Sequence, residues 1–202
     1  MKFLFASLRA FFGLAGLVSV IATFLDTASR VAINPFNFFG FFTMQSNILT
    51  IIVLLAAAAS TFAGRPQSKA FLFARACVTT YIVIVGIVYN TLLVGLEGGI
   101  SLEWANWVLH VSIPIYVALD WIFFGDRAAL PWSRFWVVLI YPITWIVVVL
   151  ARGATDGWVP YPFLDPALGY GVVAGYCVAI AAATAVVGAG VWAVSRVRIL
   201  KP

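Results

Sequence analysis

The chain has 202 residues, 64% of them hydrophobic and only 9% charged, with a mean hydropathy of +1.07. That composition excludes a soluble globular domain of this length, which would need far more polar surface to face water. The formal charge of +5 is spread between apolar segments, so it points to membrane topology and not to a nucleic-acid partner.

Six segments, near 8–26, 40–63, 72–96, 104–124, 132–152 and 169–194, are each about the 20 residues a helix needs to cross a hydrocarbon core. They predict an all-α polytopic membrane protein, a six-transmembrane-helix bundle forming one domain over 1–202. The first segment lacks a small-residue cleavage pattern followed by a polar region, so it is expected to be a retained helix. Turn residues separate the spans: Asn34-Pro35, Arg65-Pro66, Glu97-Gly98-Gly99 and Gly125-Asp126-Arg127, then a longer loop from Gly153 to Leu168 with three prolines.

Orientation follows from lysine and arginine, which are retained on the cytoplasmic side. Lys2 and Arg9, then Arg65, Lys69 and Arg75, then Arg127 and Arg134, then Arg196, Arg198 and Lys201 place ten of the twelve basic residues on alternate faces. The opposite face holds only Arg30 and Arg152. Both termini are therefore expected in the cytoplasm, with the protein in the plasma (inner) membrane. Trp104, Trp107, Trp121, Trp132, Trp158 and Tyr161 are expected at headgroup depth. Gly86, Gly171, Gly175, Gly188 and Gly190 are expected where helices approach closely. Cys77 and Cys177 read as buried structural thiols. A single or a paired bundle fits equally well.

Within this apolar chain, Thr43, Ser46, Asn47 and Thr50 recur at i, i+3, i+4 and i+7, one stripe of a helix. At about 1.5 Å per residue, Thr43, Asn47, Asn90, Asn106 and His110 fall in the outer half of the bilayer on three helices. Unpaired polar groups are costly in lipid, so these residues are expected to converge. His110, the sole histidine, reads either as a packed residue satisfied by Asn106, Asn90 or a serine, or as a general base. With such a base, Thr43 becomes a candidate nucleophile, and Gln45 or Asn47 a candidate oxyanion donor. Asp120 reads as a functional carboxylate or as an anchor for Arg127, Arg134 or Arg75. Arg152 is expected to pair with Asp26 or Asp156. With one histidine and no Cys/His cluster, no metal is expected, and no cofactor.

The combination of FFTMQSNIL (41–49), WANWVLHVSIPIYVALDW (104–121), YPITWIVVVLARG (141–153) and WVPYPFLD (158–165) resembles a bacterial family of six-span membrane proteins. That family is related to the eukaryotic androgen-induced protein and the androgen-dependent regulator of tissue factor pathway inhibitor. The resemblance implies an intramembrane threonine hydrolase that cleaves fatty-acid esters of hydroxy fatty acids, with a membrane lipid or fatty-acid ester as its partner. It carries the nucleophile onto Thr43 and the essential histidine onto His110, ahead of Pro114 and Asp120. Asn47, Gln45, Asn90 or Asn106 would position the histidine or the oxyanion, and the Tyr161-Pro162-Phe163 loop would cap the cavity. The alternative is a non-enzymatic bundle that binds or transports a lipid or small molecule.

Overall fold

The computed structural model describes residues 1–95 and 101–200. Six helices are long and apolar enough to cross a membrane: α1 (Lys2–Arg30), α2 (Phe42–Phe62), α3 (Lys69–Leu93), α4 (Glu103–Phe123), α5 (Trp132–Thr155) and α6 (Tyr170–Val194). The expected all-helical, six-span architecture is observed, with an isolated bridge, Phe124 to Leu200, as the only extended pairing among the described residues. The Glu97-Gly98-Gly99 turn lies outside them.

Local chemistry sets several ends. Ser68 accepts the Phe71 N–H at the start of α3. Asn34 accepts the Phe36 N–H ahead of a single helical turn, Pro35–Phe38, whose first residue is a proline with no N–H to satisfy. Phe41 precedes α2 and offers no side-chain cap.

Glycines let the inner helices touch. A Cβ at Gly16 of α1 would stand 2.8 Å from Ile113 and 3.0 Å from Ile51, and one at Gly86 of α3 would stand 2.7 Å from Pro114 of α4. Gly171, Gly175 and Gly190, by contrast, face open space, so the close approach expected of them is not made. Helices α5 and α6 pack on the outside of α1–α4 and are the two least buried spans.

Two placements differ from expectation because a buried partner was available. Helix α1 starts at Lys2, not near residue 8, and takes Arg9 wholly inside. The Arg9 guanidinium is satisfied there, with Nε 2.9 Å from Asp120 Oδ1, Nη2 3.0 Å from Asp120 Oδ2 and Nη1 2.6 Å from Asp126 Oδ2. Arg75 completes the cluster, 3.4 Å from Asp120 and 3.2 Å from Asp126. Asp120 therefore anchors Arg9 and Arg75, while Arg127 turns to the carbonyls of Phe124, Val194 and Val197. Trp121 is buried and donates to Val191 O at 2.9 Å, so it belongs to the core and not to an interfacial belt.

Candidate functional site

Proline at 114 organises the site. It has no N–H, so the carbonyls of Leu109 and His110, which an amide at 114 would reach, need other donors. The helix widens into a π-turn over Val108–Ser112, and two asparagines supply the donors. Asn47 Nδ2 of α2 reaches Leu109 O at 3.3 Å and Asn90 Nδ2 of α3 reaches His110 O at 3.3 Å. Each also bonds a carbonyl of its own helix, Thr43 O at 2.9 Å and Gly86 O at 2.7 Å. Asn47 and Asn90 thus hold the backbone that carries His110, and touch neither its ring nor a free oxyanion position.

The imidazole is buried, with Nδ1 3.1 Å from Asn106 O. A carbonyl only accepts, so in the neutral ring Nδ1 carries the proton and Nε2 keeps its lone pair. Nε2 has no hydrogen-bond partner among the described residues. Asn106 donates its side-chain amide to Tyr89 Oη, and the Tyr89 ring stacks on the imidazole. Tyr89 itself opens a second π-turn, Tyr89–Leu93. Such turns are rare and often mark functional positions. Nothing in the residue pattern singled out Tyr89, because its role depends on α3 facing α4.

Thr43 lies in the first turn of α2 and lines a cavity of about 770 Å³, its open mouth included, between α3, α5, α6 and the loop after α5. Tyr89, Trp145, Tyr161, Phe163 and Cys177 also line it, and most of the remaining wall is aliphatic. Ile143 and Ala181 on this wall are exposed residues of α5 and α6. Cys177 is half-buried there, not a core thiol like Cys77. Tyr161, Phe163 and Leu164 of the loop after α5 are part of the cavity wall.

Tyr161 is buried against Phe41, Trp145 and Phe163. Its Oη accepts the Thr43 N–H at 3.2 Å and lies 3.2 Å from Thr43 Oγ1. Burial pushes the phenol up, and the hydrogen bond with Thr43 only partly offsets it, so Tyr161 keeps its proton.

No hydrogen bond joins Thr43 to His110. Asn47 links them indirectly, holding Thr43 O and the carbonyl next to His110. Gln45 is also committed elsewhere, accepting from Tyr141 Oη at 2.7 Å. Arg152 sits at the rim, 2.7 Å from Asp156 and 2.8 Å from Asn37, over the Trp158 ring. Asp26 pairs with Arg30 instead. Comparisons of the chain with known protein families, curated proteins and solved structures found no match.

Proposed function

We propose that this protein is an intramembrane lipid-ester hydrolase that draws its substrate sideways from the bilayer, with Thr43 as nucleophile and His110 as base. The observation that carries the reading is the position of Thr43: a hydroxyl on the wall of a cavity whose other walls are mostly aliphatic. The largely aliphatic wall suits an acyl chain. The ester chemistry rests on the resemblance of the segments around Thr43 and His110 to the threonine hydrolases.

In this reaction Thr43 Oγ1 bonds to the ester carbonyl carbon as its proton passes to His110 Nε2. The carbonyl π electrons move onto oxygen. Collapse expels the alcohol, which takes the proton back, and water then hydrolyses the acyl-threonine by the same route. The step requires Thr43 and His110 to come within hydrogen-bond reach, directly or through one water. Catalytic hydrogen bonds are often long without substrate and tighten when it binds. The Nδ1 contact to Asn106 O favours the base tautomer. The distribution of lysine and arginine supports an inner-membrane protein with both termini cytoplasmic.

The second reading is a lipid-binding bundle without chemistry. It is favoured by the engagement of Thr43 Oγ1 with Tyr161 and by the absence of His110 from the cavity wall. Hydrolysis of branched fatty-acid esters by purified protein in detergent separates the two. Under the first reading, Thr43→Ala abolishes turnover and His110→Ala lowers it about 10²–10⁴-fold, with thermal unfolding retained. Equal turnover in all three proteins, or ligand-shifted melting without turnover in wild type, favours the second.

A further inference from the structure

The reaction needs donors for the carbonyl oxygen as it gains charge, and the amides of Asn47 and Gln45 are not placed to supply them. Asn47 Nδ2 is shared between two main-chain carbonyls, and Gln45 meets Tyr141. Two other donors lie beside the Thr43 hydroxyl. One is the main-chain N–H of Thr43 itself, in the uncapped first turn of α2, where the helix dipole favours negative charge. The other is the Tyr161 hydroxyl, 3.2 Å from both Thr43 N and Thr43 Oγ1.

We propose that the Thr43 N–H and the Tyr161 O–H form a two-donor site for the carbonyl oxygen of a fatty acyl ester whose chain lies in the cavity. The catalytic part of this inference rests on the hydrolase reading; the carbonyl contact itself does not. Three observations support it. Tyr161 Oη already lies against both atoms of Thr43 that a reacting carbonyl must meet. The ring cannot swing away as a flexible plug would, because it stacks on Phe163 at 5.3 Å and meets Phe41 edge-on at 5.5 Å. And the cavity continues from this point along apolar wall from Ile146 to Leu139 on α5 and from Cys177 to Thr184 on α6, about 10 Å of helix. A carbonyl held at Thr43 and Tyr161 therefore has a path for one chain of medium length.

As Thr43 Oγ1 bonds to the carbonyl carbon, the π pair moves to the oxygen. The O–H of Tyr161 and the N–H of Thr43 shorten onto that oxygen without transferring a proton. The bond from Thr43 N–H to Tyr161 Oη gives way as the carbonyl oxygen takes its place.

The test uses the full chain in detergent and the ester methyl decanoate carrying ¹³C at the carbonyl. In the Thr43→Ala protein, which keeps the main-chain N–H but cannot react, the bound carbonyl band should move to lower wavenumber than in detergent alone. It should return toward the free position in Thr43→Ala/Tyr161→Phe, with binding retained. In the otherwise wild-type protein, Tyr161→Phe should lower kcat about 10²–10³-fold with little change in KM, and the lost partner of the Thr43 N–H should lower the unfolding midpoint only modestly. Identical bands in the two Thr43→Ala proteins, or an unchanged kcat in Tyr161→Phe, overturn the proposal. A shifted band in a protein that hydrolyses no ester supports the carbonyl site and removes the hydrolase reading alone.

Discussion

The ring of Tyr89 lies on the imidazole of His110, 3.9 Å between centroids and 25° between planes. Each residue belongs to a π-turn, one in α3 and one in α4, so two widened turns face each other across a single helix contact. Tyr89 lines the cavity and His110 does not. Tyr89 is thus the side chain through which the cavity wall meets the histidine.

Replacing Tyr89 separates the two things it does. Tyr89→Phe keeps the stack and loses only the hydroxyl that accepts from Asn106, so it should cost about 1 kcal/mol. Tyr89→Ala removes a half-buried ring and its stack as well, and should cost more, about 2–3 kcal/mol. Thermal unfolding in one detergent measures both, and similar losses for the two variants would show that the stack contributes little.

The asparagine support of the π-turn in α4 is coupled to Pro114. Asn90→Leu leaves His110 O without that donor and should cost about 1–3 kcal/mol. Adding Pro114→Ala restores a main-chain N–H that can reach the same carbonyl. The double variant should therefore lose less than the two single losses added together, by about 0.5 kcal/mol or more. Simple additivity in the cycle would mean that the asparagine and the proline act on different carbonyls.

The architecture was readable in the chain because lipid leaves the backbone one solution, and about 20 apolar residues per span is a strong signal. The asparagines were also legible as a converging set, since a polar group in an apolar helix needs a partner. What they converge on was not. Their targets are main-chain carbonyls exposed by Pro114, and sequence spacing does not identify an acceptor on another helix. The partners of Arg9 stay hidden for a related reason: the carboxylates that neutralise it lie 111 and 117 residues away. The Tyr161 contact joins residues 118 apart, so the pattern around it predicted a cap over the cavity but not a hydroxyl against Thr43.

Two arginines in this fold should respond very differently to the same change. Arg9 is wholly buried between Asp120 and Asp126, and removing it leaves two carboxylates sharing Arg75, with Asp120 buried. Arg9→Gln should cost about 3–5 kcal/mol. Arg152 forms a partly exposed i,i+4 pair with Asp156, and Arg152→Gln should cost about 0–1 kcal/mol. Unfolding midpoints in the same detergent compare them directly, and equal losses would mean that the Arg9 cluster is open to water.

The same cluster predicts an acid dependence of stability. Asp126 follows the last turn of α4, outside the spans. Burial by itself would raise its carboxyl. The charge of Arg75 and the hydrogen bond from Arg9 outweigh that and hold it below its ordinary value. A carboxyl with a lower pKa folded than unfolded binds fewer protons in the native state, so stability falls as the solution becomes more acidic. The contribution is complete above the unfolded value of about 3.9 and disappears as pH drops through the lower folded value. Asp126→Asn removes this titration and leaves Arg9 and Arg75 sharing one carboxylate. The variant should be the less stable protein at neutral pH, and its deficit relative to wild type should narrow only below about pH 4. Unfolding of both proteins from pH 7 to pH 3 tests this. A deficit that narrows already between pH 7 and pH 5 would mean that Asp126 titrates well above the ordinary carboxylate range, and that the two arginines do not hold it ionised.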